Sequence, residues 1–151
     1  MSARRKVAAR RLATLLGGGK NEVREIDHEV GRWHERILAG LEFGAVDKIK
    51  AHAALTDPEI ARLLGISEAT LRRARAASSK LDPATSDRLY RLSKVIAVAE
   101  EALETADNAM TWLRRPQPAL GGQVPLELLV THAGADEVET LLRRIDYGVY
   151  T

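Results

Sequence analysis

The sequence predicts an all-α protein in which a helix-turn-helix domain is followed by a small helical domain. Three observations carry this. The 151 residues are dominated by Ala, Leu and Arg with only 4% aromatics, a mixture that favours helices. Apolar residues recur at steps of three and four in several separate segments. No segment alternates convincingly with period two, so essentially no sheet is expected. The length suits one ordinary domain or two small ones and is enough to bury a core. With 45% hydrophobic and 29% charged residues the chain is globular. The lack of cysteine excludes a disulfide scaffold, a thiolate metal site and a cysteine nucleophile, and suits a reducing cytoplasm. No apolar run is long enough to cross a membrane. Arg4 and Arg5 are followed by Lys6, Arg10 and Arg11 where a twin-arginine leader would need apolar residues, so export is rejected.

Charge is uneven along the chain. Residues 1–20 hold six basic and no acidic side chains, residues 21–80 hold ten of each, and residues 81–151 hold seven basic against eleven acidic. Either the basic front meets a polyanion, or it is a basic tail on a solvated domain.

In chain order, Val7, Ala8, Leu12, Leu15 and Leu16 predict a short amphipathic helix, ended by a hinge at Gly17 to Gly19. Val23, Ile26, Val30, Trp33, Ile37 and Leu41 predict one buried helical stripe, broken at Gly40 and Gly44. Val46, Ile49 and Ala53 predict a short helix leading to Leu55.

The strongest local pattern runs from Leu55 to Ala74. Thr56 and Glu59 have the spacing of a capping box, with Asp57-Pro58 as an alternative start one residue later. Ile60, Leu63 and Leu64 point inward, and Ala61 is small enough for a second helix to cross closely. Gly65 can turn the chain through the left-handed conformation, and Ser67 caps the second helix. Ile66, Leu71 and Ala74 fix that helix inward, leaving Ser67, Glu68, Ala69, Arg72, Arg73 and Ala76 outward. This spacing resembles the Xre and Cro-like repressors, whose second helix enters the major groove of DNA. The resemblance makes Arg72 and Arg73 candidates for guanine or phosphate, and Glu68 either an acceptor from cytosine or a charge that repels wrong sequences. Arg75, near the inner edge, and Lys80, beyond the helix, are expected to touch phosphate or nothing. A plain helical hairpin with a solvated arginine face is the other reading of the same stretch.

Downstream, Leu89, Leu92, Ile96, Ala99, Leu103, Ala106, Met110 and Leu113 keep a step of three and four, as one long helix or two nearly collinear ones. The caps offered by Thr105, Asp107 and Asn108 favour a break there, with a short helix carrying Trp112. Pro116 and Pro118 stop it. Leu120-Gly121-Gly122 and Pro125-Leu126 predict a turn and a new helix start. Gly134 to Ile145 predicts a last helix with Val138, Leu141, Leu142 and Ile145 on one face, and Gly148 is available to leave helical geometry after Tyr147.

These anchors, from Trp112-Leu113 through Pro116, Leu120-Gly121-Gly122, Pro125-Leu126, Leu128-Leu129, Thr131, Gly134 and Val138 to Tyr147-Gly148-Val149-Tyr150, resemble the toxin-binding domain of the Xre/MbcA/ParS antitoxins. Thr105-Ala106-Asp107 departs from that family's more common glycine-containing loop. The resemblance implies a cytoplasmic antitoxin whose partners are a cognate RES-domain toxin that consumes NAD, its own promoter DNA, and further copies of itself as a homodimer or higher oligomer. It implies that the C-terminal segment covers the toxin's active site, which assigns toxin binding to Tyr147, Gly148, Val149, Tyr150 and Thr151 with Arg143 and Arg144 on the neighbouring helix face. For Trp112, Leu120, Leu126 and Leu142 a purely structural role suffices. The alternative is a stand-alone regulator whose stripe from Leu89 to Leu113 serves dimerisation.

Domains are expected at 1–20 (basic arm), 21–82 (helix-turn-helix) and 83–151 (toxin binding and oligomerisation). No enzyme, metal or cofactor is expected. His28 and His34, six residues apart, stand about 120° from each other on a helix, and His52 and His132 are isolated. Glu100 and Glu101 read as solvated charge. Gly17 to Lys20 lacks the strand and second glycine of a phosphate loop.

Overall fold

The computed structural model describes residues 3–16 and 32–148. The hinge expected at Gly17 to Gly19, the stripe positions Val23, Ile26 and Val30, His28, and the tail residues Val149, Tyr150 and Thr151 lie outside them. Among the described residues the helices are α1 (Ala3–Leu15), α2 (Arg32–Ala39), α3 (Gly44–His52), α4 (Asp57–Leu64), α5 (Glu68–Ala77), α6 (Pro83–Leu103), α7 (Ala106–Leu113), α8 (Pro125–Leu128) and α9 (His132–Asp146), with a 3-10 turn at Pro118–Leu120. The only β pairing among the described residues is two isolated bridges, Glu42 with Lys80 and Gln117 with Gln123.

The long α6 is the axis of the molecule, packing against α1, α2, α4, α7 and α9. Being surrounded, it is buried almost all round from Val95 to Glu100. Ser93 satisfies its hydroxyl on the Leu89 carbonyl at 2.7 Å. Glu100, expected in solvent, is instead buried, and it bonds to the ring of His52 at the end of α3. The repeat of three and four marked a helix but left open whether other helices cover its flank.

Helix α6 ends where the sequence suggested a break. Glu104 takes φ 74°, the Thr105 hydroxyl accepts from the Asn108 N–H at 3.1 Å, and the Asn108 side chain donates to the Leu103 carbonyl at 3.0 Å. One short segment therefore caps both helix ends without glycine.

The break expected at Gly40 and Gly44 forms, with Gly40 at φ 89° and Gly44 opening α3. Two expectations need correction. Helix α2 has no fully buried residue: Trp33 and Ile37 are half-buried, Trp33 leaning on the Tyr90 ring of α6 with centroids 5.3 Å apart. Helix α9 begins at His132, two residues before Gly134, because Thr131 caps it by accepting from the Gly134 N–H at 3.0 Å. The need for glycine at 134 is steric. A Cβ there would stand 2.1 Å from the Leu128 carbonyl oxygen, so α9 lies directly on the end of α8.

Candidate functional site

Two exposed surfaces gather the candidate residues, and each is set by the way its helix is held. The capping box at Thr56 forms as its spacing requires, with the Glu59 carboxylate accepting from the Thr56 N–H at 2.8 Å and the Thr56 hydroxyl from the Glu59 N–H at 3.3 Å. Helix α4 then buries Ile60, Ala61, Leu63 and Leu64 and ends at Gly65, φ 68°. A side chain at 65 would be strained by that backbone and would also strike the Arg88 guanidinium, which lies 2.6 Å from the Cβ position and donates to the Leu64 carbonyl at 3.2 Å. Arg88 thus ties α6 to the turn between α4 and α5.

Ser67 caps α5 by accepting from the Thr70 N–H at 3.0 Å, and its own hydroxyl donates to Thr70 Oγ1 at 2.9 Å. Ser67, Glu68, Ala69, Arg72, Arg73 and Ala76 are all exposed. Arg73 donates to Thr70 Oγ1 at 3.2 Å, which draws its guanidinium toward the N-terminal end of the helix. Arg72 has no hydrogen bond or ion pair to the described residues. Two neighbouring arginines thus differ in preorganisation, one steered along the helix and one free to reach.

Arg75 is engaged within the protein. Its guanidinium reaches Asp47 on α3, with Nη2 at 3.0 Å, and Asp57 on α4, with Nη2 again at 3.0 Å. Lys50 adds a second cation 2.8 Å from Asp57. The hydrogen bonds from Arg75, then those from Lys50, hold the Asp57 carboxyl at about 2, below its usual range. Lys80, beyond α5, is exposed and lies 3.7 Å from Glu42.

The second surface is the end of α9. Tyr147 is the C-cap of the helix and is 63% exposed, the largest exposure of any described bulky hydrophobic side chain, and Gly148 follows it. Arg143 is bound to Glu139 one turn back at 2.6 Å, and Lys94 of α6 reaches the same carboxylate at 3.3 Å. Arg144 is exposed, has no ion pair to the described residues, and borders a shallow groove with Leu120, Asp136 and Leu141. Of the four residues given a structural role, Leu120, Leu126 and Leu142 are buried and Trp112 is half-buried.

A contact that the sequence did not announce joins α7 to the helix-turn-helix. Arg114, at the end of α7, donates to the Glu59 carboxylate at 2.6 Å and to the Ala54 carbonyl at 3.1 Å. That guanidinium, with the Thr56 N–H, holds Glu59 at about 2. The carboxylate that caps α4 is therefore also the handle by which the C-terminal helices grip the helix-turn-helix. Among the described residues no cluster of three His, Asp or Glu side chains could hold a metal ion.

Comparison with known proteins agrees with this two-part arrangement. Residues 32–94 match the antitoxin Xre-like helix-turn-helix domain, and residues 98–148 match the antitoxin Xre/MbcA/ParS C-terminal toxin-binding domain. The chain is 31% identical to an antitoxin Xre of Yersinia enterocolitica over 118 residues, covering 78% of this chain and 80% of that one. It is 30% identical to an antitoxin Xre of Pseudomonas putida, covering 76% and 71%. A Prs ADP-ribosylating antitoxin of a Sphingobium species is 30% identical over 58% of this chain and 60% of its own length.

Proposed function

Since this chain belongs to the Xre/MbcA/ParS antitoxin family, we propose that it neutralises a RES-domain toxin that consumes NAD and represses its own promoter. Neutralisation is assigned to Tyr147 through Thr151, laid over the toxin's active-site cleft with Arg144 beside them. DNA contact is assigned to Ser67, Glu68, Ala69, Arg72, Arg73 and Ala76. The protein acts in the cytoplasm as a non-enzymatic regulator, at least dimeric on DNA, because one short recognition helix binds weakly alone and paired half-sites call for a two-fold protein.

The observation that carries this reading is the separation of the two exposed sets. Exposed arginines stand on α5, and an uncovered tyrosine stands at the end of α9, where no further described helix buries it. The name of the Sphingobium relative supports the NAD assignment, since NAD is the ordinary donor for ADP-ribosyl transfer. The reading as a stand-alone regulator loses part of its support, because Leu89, Leu92, Ile96, Ala99 and Leu113 are buried within the protomer, and only Leu103, Ala106 and Met110 of that stripe are half-buried.

NAD turnover by the toxin, measured with full-length protein and with a form lacking residues 147–151, tests the proposal. The truncated form is expected to keep its melting temperature and operator affinity yet fail to inhibit. Docked tyrosines of this kind supply roughly 2 kcal/mol or more each. Full inhibition by the truncated form would move neutralisation to the face around Trp112 and Leu126.

A further inference from the structure

We infer that Arg75 is a positioning residue for DNA recognition: it holds α5 at the angle from which Arg72 and Arg73 reach the duplex, and does not itself touch DNA. The inference rests on the reading of α5 as the DNA-binding helix.

Helix α5 needs such a device because its apolar hold is small. Leu71 is its only buried residue, whereas α4 buries four. A ten-residue helix with one buried side chain, and only the small, half-buried Ala74 packed beside it, is weakly held against swinging, and the capping bonds at Ser67 restrain only its first turn. Arg75 follows Leu71 by four residues, so the two share the inward face. From there Nε and Nη2 donate to Asp47 Oδ1 at 3.2 and 3.0 Å, while Nη1 and Nη2 donate to Asp57 at 3.3 and 3.0 Å. The guanidinium carbon lies over the buried Phe43 ring, 5.6 Å from its centroid. One side chain therefore ties the C-terminal half of α5 to α3 and α4 together. With Lys50 on Asp57 the cluster contains two cations and two anions. Its charge is internally balanced, and Arg75 would have to abandon two carboxylates to meet a phosphate. Only a planar fork spans both acceptors, which lysine cannot do.

Full-length protein titrated onto a promoter fragment across a salt series separates positioning from contact. Arg75→Ala is expected to weaken binding by roughly tenfold, about 1.4 kcal/mol, while leaving the slope of log affinity against log salt unchanged. Arg75→Lys is expected to lose nearly as much. A phosphate contact would instead be largely preserved by lysine and would lower the slope by about 0.9 on removal to alanine. The double variant Asp47→Asn/Asp57→Asn gives the sharpest sign. Removing two negative charges beside a polyanion should by itself tighten binding, whereas loss of the clamp should weaken it. Tighter or unchanged binding by this variant overturns the inference. Hydrogen exchange without DNA provides the independent reading: α5 amides should exchange faster in the double variant while those of α9 do not change, and unchanged α5 exchange also overturns it. Failure of the parent protein to bind promoter DNA would count against the DNA assignment alone, since the exchange result still decides whether Arg75 holds the helix.

Discussion

Two adjacent arginine pairs stand on two short helices, Arg72-Arg73 on α5 and Arg143-Arg144 on α9, and the fold uses them differently. On α5 both members are exposed, and the only restraint is a hydroxyl that steers Arg73. On α9 one member is bound to Glu139 and the other is exposed beside a groove. The helices beneath them differ as well. Helix α9 buries Gly134, Ala135, Val138 and Leu142, so packing fixes its position, whereas α5 buries Leu71 alone and is held by polar bonds. A helix fixed by packing can present a flat or apolar surface to a protein partner. One held by directional charge bonds can be set at a chosen angle with its exposed cations free, which suits a groove lined with phosphates and base edges.

The largest effect that would break this comparison is on DNA binding. Arg72→Ala/Arg73→Ala should abolish measurable operator binding at physiological salt, since each base contact is worth roughly 1–3 kcal/mol and each phosphate contact steepens the salt dependence by about 0.9. Toxin inhibition should be untouched. Electrophoretic mobility shifts with parent and variant, paired with a toxin assay, check both halves. Equal operator affinity would show that the exposure of α5 has nothing to do with DNA.

A smaller effect sharpens the difference in how the helices are held. Gly134→Ala places a methyl group 2.1 Å from the Leu128 carbonyl oxygen, which is backbone and cannot step aside without moving α8. Overpacking of this kind costs roughly 1–3 kcal/mol, so the melting temperature should fall by several degrees. Toxin inhibition should weaken before operator binding does, because the displaced elements belong to the C-terminal module. A variant that melts like the parent would mean that α9 is not seated against α8 as described.

What could be read in advance followed from short-range physics. The capping box at Thr56, the cap at Ser67, the turn at Gly65, the break near Thr105 and the inward set on α9 all depend on residues within a few positions of one another, and each forms. Partners far apart in sequence were hidden. Arg75 meets Asp47 across 28 positions, Arg114 meets Glu59 across 55, and Glu100 meets His52 across 48. A charged residue on a helix edge looks alike whether it faces water or a carboxylate from another helix, so Arg75 read as touching phosphate or nothing and Glu100 as solvated charge. The one local signal available for the candidate site was Thr70, three residues before Arg73 and able to reach it along the helix face.

The smallest effect separates the two arginines on α9, which the sequence treats as one pair. Arg143 is half-buried and its guanidinium donates twice to Glu139, at 2.6 and 3.2 Å, so reaching a partner protein would cost it those bonds. Exposed pairs at this spacing contribute only about 0.3–0.5 kcal/mol to a helix, and Lys94 remains on the same carboxylate when Arg143 is removed. Arg143→Ala should therefore shift both the melting temperature and the toxin inhibition constant very little. Arg144→Ala removes an exposed cation with no ion pair to the described residues and should weaken inhibition by more than Arg143→Ala, with no change in melting. Inhibition constants measured for the two variants side by side decide it. The reverse order would mean that Arg143 leaves Glu139 when the toxin arrives, and that the ion pair on α9 opens on binding rather than restraining the helix.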